Sequence, residues 1–295
     1  MQHNMNSQSA QDARPAALHD RSIGNIIAEA NKLTPEQVER ILVHQKSHGL
    51  RFGEAAVALG LVKGEDVLWA LSQQFHYPYA AGGGTAPNEE LVLAAKPFSD
   101  QAEAFRVLRS QINMKLYSAE GPRKALAVIS PNDGDGKTFF AANLAIAFSQ
   151  LGGRTLLVDA DMRGPRQHEV FGLGDGAGLS GILSGRAEKN VIRPVRDLPS
   201  LFVMPVGTLP PNPTELVERP AFALLMRELT SKFDHVIVDT PAAAHGADCA
   251  VIAARCGAAL ALARKGATRV AALQNLVRML GNTPTELAGV VMNEH

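Results

Sequence analysis

The chain has 295 residues, 46% of them apolar, enough for one large domain and one small one with filled cores. Its 29 Lys and Arg balance its 29 Asp and Glu, so charge points to neither nucleic acid nor an anionic membrane as a partner. The two cysteines, Cys249 and Cys256, give no metal spacing and no disulfide framework, and no run approaches the roughly 18 apolar residues of a membrane helix.

Residues 1–20 lack the apolar stretch of a signal peptide and read as a disordered tail of a cytoplasmic protein. A repeat with an offset of 29 follows, over residues 21–80: Gly24 matches Gly53, Leu33 matches Val62, Leu42 matches Leu71 and Gln45 matches Gln74. Each copy reads as helix, turn, helix, with Thr34 and Lys63 near the turns and Pro35 suited to a first helical position. Two such copies can bury one shared face as a small all-α domain. Residues 81–98, opened by "AGGGTAP", read as a linker.

From residue 99 to 295, apolar strand candidates at 124–130, 155–160, 201–206, 235–239, 258–264 and 287–293 alternate with helical patterns. Continuous apolar strands separated by helices predict an α/β domain, a mostly parallel sheet with helices on both faces and the ligand at the carboxyl strand ends. Ahead of the first strand, Glu103, Arg106 and Arg109 share one face of a helix. Alone, they are as well explained by a solvated face with one weak ion pair.

Three strand ends carry chemistry. "PNDGDGKT" follows the strand at 124–130: glycines that let the backbone curl, a lysine for β/γ-phosphate, a threonine hydroxyl for Mg²⁺, and a helix N-terminus aimed at the anion. Pro131 replaces the usual first glycine of this pattern. Asp159 and Asp161 stand two apart at the next strand end and can project to one side; a polar exit with a surface salt bridge to Arg163 is the plainer reading. "HVIVDTP" ends a third strand in Asp239, which can hold Mg²⁺ or serve as a cap.

Together, "SPNDGDGKT", "LLVDADMR" and "VIVDTP" resemble the Walker A, A′ and B motifs of the bacterial tyrosine kinases, over about residues 99–295; "RGPRQHEVFGL", "GLSGILSG" and "LPPNPTEL" look like further segments of that family. The resemblance implies a P-loop kinase using ATP and Mg²⁺. Nucleotide contacts would come from Asp133, Gly134, Asp135, Gly136, Lys137, Thr138 and Phe139, the cation would rest on Thr138, Asp161 and Asp239, and catalysis would use Lys137, Asp159, Asp161 and Arg163, with Asp159 activating the tyrosine hydroxyl. It implies a homo-oligomeric ring built through Glu103, Arg106 and Arg109, and an inner-membrane partner that sets polysaccharide chain length and recruits the kinase. Septum-site and plasmid-partition ATPases carry a lysine where this chain has Asn132, which favours the kinase branch. The family's C-terminal tyrosine cluster has no counterpart: the tyrosines are Tyr77, Tyr79 and Tyr117. The acceptor then lies on another protein, or the domain is a P-loop switch that turns over ATP.

The repeat resembles the small front domain of type II secretion and pilus ATPases, some of which bind cyclic di-GMP through two spaced motifs that residues 22–45 and 51–74 fit. The second copy keeps Arg51, Gly53, Gly60 and Gln74. The first has Ser22 where arginine is expected, with Arg21 adjacent as a substitute. A docking module without nucleotide is the alternative.

Overall fold

The computed structural model describes residues 22–74, 88–117, 121–174, 176–186 and 188–294. The expected tail, Arg21, Tyr77 and Tyr79 lie outside them, as does the side chain of Gln74. The chain divides into two compact units, within residues 1–77 and 78–295.

The front unit is four helices: α1 (Ile23–Ala30), α2 (Pro35–His48), α3 (Phe52–Ala58) and α4 (Gly64–Gln74). Thr34 caps α2 in a reciprocal box, its Oγ1 accepting from the Gln37 N–H while Gln37 Oε1 accepts from the Thr34 N–H, with Pro35 in the first turn. At the equivalent turn, the Lys63 N–H donates to Asp66 at 2.8 Å. Helices pair across the copies, α1 with α4 and α2 with α3. The core is built from repeat-equivalent positions: Ile27 with Ala56 and Ile41 with Ala70, all fully buried.

The second unit is a seven-stranded sheet in the order β3-β4-β2-β5-β1-β6-β7. The strands are β1 (Ala125–Ile129), β2 (Thr155–Asp159), β3 (Arg193–Val195), β4 (Leu198–Met204), β5 (His235–Asp239), β6 (Gly257–Arg264) and β7 (Glu286–Asn293). All neighbours run parallel except β3 on β4. Buried clusters cover both faces, as continuous apolar strands require. β3 goes beyond the six expected strands; three half-exposed residues around Pro194 on an edge carry almost no apolar signal.

The linker expected over 81–98 ends early. Residues 91–94 are buried, and α5 (Val92–Ala95) packs on α7 (Lys137–Ser149). The fully buried Asn143 of α7 ties it down, with Oδ1 accepting from the Leu93 N–H at 3.2 Å and Nδ2 donating to the Glu90 carbonyl at 2.8 Å. A polar contact across fifty residues leaves no local trace in "LVLAA". Among the described residues, no helix is long and apolar enough to cross a membrane.

A candidate phosphate-binding site at the strand ends

Past Ser130, β1 turns through residues 131–136 into α7. Gly134 (φ 74°) and Gly136 (φ 97°) both take left-handed backbone, and a side chain at 136 would also strike Asn293. The loop is braced from the far strands: Arg264 at the end of β6 donates to the Gly134 carbonyl (3.2 Å), and Asn293 at the end of β7 to the Asp135 carbonyl (3.1 Å). Inside it, Asn132 N–H donates to Asp135 Oδ2 (2.8 Å) and Thr268 Oγ1 to Asp135 Oδ1 (2.7 Å). Asp135 was expected to contact nucleotide. Its buried side chain serves the brace, with both oxygens engaged. The Asp133 carboxylate pairs with His245 Nε2 at 2.5 Å. Both loop carboxylates are thus held by partners within the chain. Lys137 is 6% exposed and its Nζ donates to Ser130 Oγ at 3.3 Å.

The parallel register of β2 on β5 sets Asp159 beside Asp239, both fully buried. Asp159 accepts from the Asp161 N–H (3.2 Å) through Oδ1 and from the Gln167 N–H (3.0 Å) through Oδ2. Burial, then the Asp239 carboxylate, push the Asp159 carboxyl well above its ordinary range. Burial raises Asp239 as well, against the pull of the Gln167 hydrogen bond, the nearby Thr138 hydroxyl and the charge of Lys137. Asp239 Oδ2 accepts from Gln167 Nε2 at 2.9 Å, whereas Oδ1 is buried without a partner.

Asp161 borders an open cleft of about 400 Å³, together with Lys137, Thr138, Phe139, Arg163 and His245. Asp159 does not border it, and its engaged, buried carboxylate does not fit the proton-accepting role expected of it. Arg163 makes no side-chain ion pair with the doubled aspartate. Its Nε donates to the buried Asp248 at 2.7 Å and its Nη2 to Thr214 at 3.2 Å, while Asp161 Oδ1 accepts the backbone N–H groups of Arg163 (3.1 Å) and Gly164 (3.0 Å). The surface salt bridge of the polar-exit reading is therefore absent, while Asp161 does hold the backbone of the exit. A larger cavity, about 460 Å³, lies beside Pro165 and His168 and holds none of the motif residues; chemistry, rather than size, selects the cleft.

Thr138, Asp161 and Asp239 form an all-oxygen set, the preference of Mg²⁺, and the unpartnered Asp239 oxygen suits a cation or its water. No self-contained cluster of three or more His, Cys, Asp or Glu side chains occurs among the described residues. A cation here would complete its shell with phosphate and water.

Several contributors went unread in the sequence. Gln167, Asp248, Thr214, His245, Thr268, Arg264 and Asn293 reach the site only through tertiary contacts; Gln167 lay within "RGPRQHEVFGL", quoted above only as a family segment. On α6 (Asp100–Ile112) the ion pair of the plainer reading is present. Arg106 pairs with Glu103 at 2.9 Å and donates to the Pro97 carbonyl, and Arg109 donates to the Ala147 carbonyl at 3.0 Å. Both arginines have work within their own chain. In the front unit, Arg51 precedes α3 with its side chain exposed, and Gly53 is explained by packing: a Cβ there would lie 2.6 Å from Val67.

Comparison with known proteins places this arrangement. Residues 121–294 match the ParA family, described as NUBPL iron-transfer P-loop NTPase. CapB of Staphylococcus aureus is 36% identical over 152 residues, 51% of this chain and 65% of that protein. The tyrosine-protein kinase CpsD of Streptococcus agalactiae is 30% identical over 193 residues, 65% of this chain and 82% of that one. The crystal structure of the chimerical protein CapA2B2 superposes with a TM-score of 0.65 at 31% identity, covering 76% of this chain and 97% of that one. The chain spans only 65% of CapB and 28% of several longer relatives. With its P-loop and the turn carrying Asp161 meeting at one cleft, the chain belongs to the ParA-type P-loop NTPases and, within them, to the bacterial tyrosine-kinase family.

Proposed function

We propose that the chain is an ATP-dependent protein-tyrosine kinase that regulates exopolysaccharide or capsule chain length and export. The observation carrying this reading is the meeting of Lys137 and Thr138 after β1 with Asp161 after β2 at one cleft, next to the end of β5 where Asp239 is buried. Kinship with proteins named tyrosine-protein kinases supports it.

Phosphoryl transfer asks a protein mainly for positioning and charge stabilisation. Lys137, poorly hydrated in its loop, supplies a fixed cation to the β/γ-phosphates beside the N-terminus of α7. Thr138, Asp161 and Asp239 would hold Mg²⁺, which when bound offsets the charge of the transferring phosphate. Asp161, on the cleft wall, is the member of the aspartate pair that a cation in the cleft can reach. Arg163, pinned by Asp248 and Thr214, fixes the turn that carries Asp161. Asp159 organises the same turn from below through the N–H groups of Asp161 and Gln167.

In this reading the kinase is cytoplasmic, is recruited by an inner-membrane chain-length determinant, and acts on acceptor tyrosines of another protein. Incubating the chain with labelled ATP, Mg²⁺ and the cytoplasmic part of such a determinant tests it. Phosphotyrosine is the expected product; free phosphate alone would make the domain an ATP-driven switch.

A further inference from the structure

Gln167 opens the short helix α8 (Gln167–Val170), eight residues beyond Asp159, and is fully buried. Its backbone N–H donates to Asp159, and its Nε2 donates to both the Thr138 carbonyl (3.1 Å) and Asp239 Oδ2 (2.9 Å). It therefore touches all three motifs. Both Nε2 partners are acceptors, so the amide can face only one way. That leaves Gln167 Oε1 buried without a partner, and Asp239 Oδ1 is in the same condition. The two groups are joined by one hydrogen bond, so their unpartnered oxygens lie within about 7 Å of each other. Buried acceptors are normally satisfied. Side by side among the three motifs, these two oxygens are open to a donor from a bound ligand.

We infer that Gln167 is a positioning residue of the cation–nucleotide site: Nε2 holds Asp239 and Thr138 in place, and Oε1 accepts from a water of the hydrated Mg²⁺. This rests on the MgATP reading above. Mg²⁺ gives up its waters reluctantly and makes them strong donors, matching what the two oxygens lack. The role also explains why an uncharged amide stands beside two adjoining buried carboxylates. It can donate to one without adding a third negative charge.

The test is calorimetry of the full chain with a non-hydrolysable ATP analogue, with and without Mg²⁺, for the wild type, Gln167→Ala and the volume-preserving Gln167→Met. In the wild type, Mg²⁺ tightens analogue binding. In both variants that gain should shrink by about tenfold or more, as for other outer-shell partners of a metal, while Mg²⁺-free affinity stays within about threefold. A thermal melt of Gln167→Met close to wild type accompanies the expected result. An undiminished Mg²⁺ gain in Gln167→Met overturns the inference, as does an equal fall in both affinities, which marks a purely structural amide. A wild type that binds no analogue at all overturns the nucleotide reading instead.

Discussion

The front unit and the P-loop unit both carry glycine-rich motifs that the sequence invites one to read as ligand sites, yet they differ in what they leave unfinished. Among its described residues, no buried side-chain polar atom of the front unit lacks a partner. Gly53 is accounted for by Val67, and Gly60 (φ 66°) by a left-handed turn. In the P-loop unit, Gly134 and Gly136 bend a loop over Lys137, while Asp239 and Gln167 keep acceptors that nothing in the chain satisfies. A glycine justified by its neighbours argues for packing. Unpartnered buried acceptors placed among the motif residues argue for a ligand.

The comparison breaks first at Lys137. Lys137→Met nearly preserves length and removes the buried cation of the loop, so ATP turnover should fall by about a hundredfold or more with the far-ultraviolet circular dichroism unchanged. Asp161→Asn should match it in turnover. If either variant turns over at wild-type rate, the cleft is not the site.

A smaller effect concerns Asp239. Its carboxyl is raised from 3.8 to about 6, chiefly by burial, so the folded chain binds that proton more tightly than the unfolded chain does. The stability this brings is present in full below about pH 4 and is lost as pH rises to about 6. Melts without nucleotide or Mg²⁺ should therefore show Asp239→Asn gaining on the wild type across that window, by at most about 2–3 kcal/mol, and level above it. A constant difference from pH 4 to pH 8 would contradict this.

The front unit offers the matching test by overpacking. Gly53→Ala should cost it about 1–3 kcal/mol in urea unfolding through collision with Val67. Arg109→Ala should cost the P-loop unit about 1 kcal/mol by freeing the Ala147 carbonyl, whether or not it also weakens self-association seen by light scattering. The smallest expected effect is that of cyclic di-GMP. With the glycines explained internally, the compound should leave the melting of the front unit unchanged; a clear upward shift lost in Arg51→Ala would restore a nucleotide site there.

Much of this was legible in the sequence because it is local. Apolar runs predicted six of the seven strands, the offset-29 repeat predicted four helices, and Gly134, Gly136, Lys137 and Thr138 announced the loop. What could not be read depends on register and distance. That Asp159 would lie beside Asp239, out of the cleft, follows from pairing β2 with β5 across eighty residues. That Arg163 would choose Asp248 follows from α12 (Asp248–Cys256) packing beside α10 (Pro213–Glu218), which also brings Thr214. Gln167 lies in a family-like segment that does not say what it touches, and its three contacts exist only once the sheet is assembled.

The central claim, that the cleft transfers phosphate from ATP to tyrosine, is tested most directly with γ-labelled ATP, Mg²⁺ and a synthetic glutamate–tyrosine copolymer as acceptor. The account predicts label recovered as phosphotyrosine with the wild type and lost with Lys137→Met and with Asp161→Asn. Label released only as inorganic phosphate, with none on the copolymer or on the chain, would contradict it.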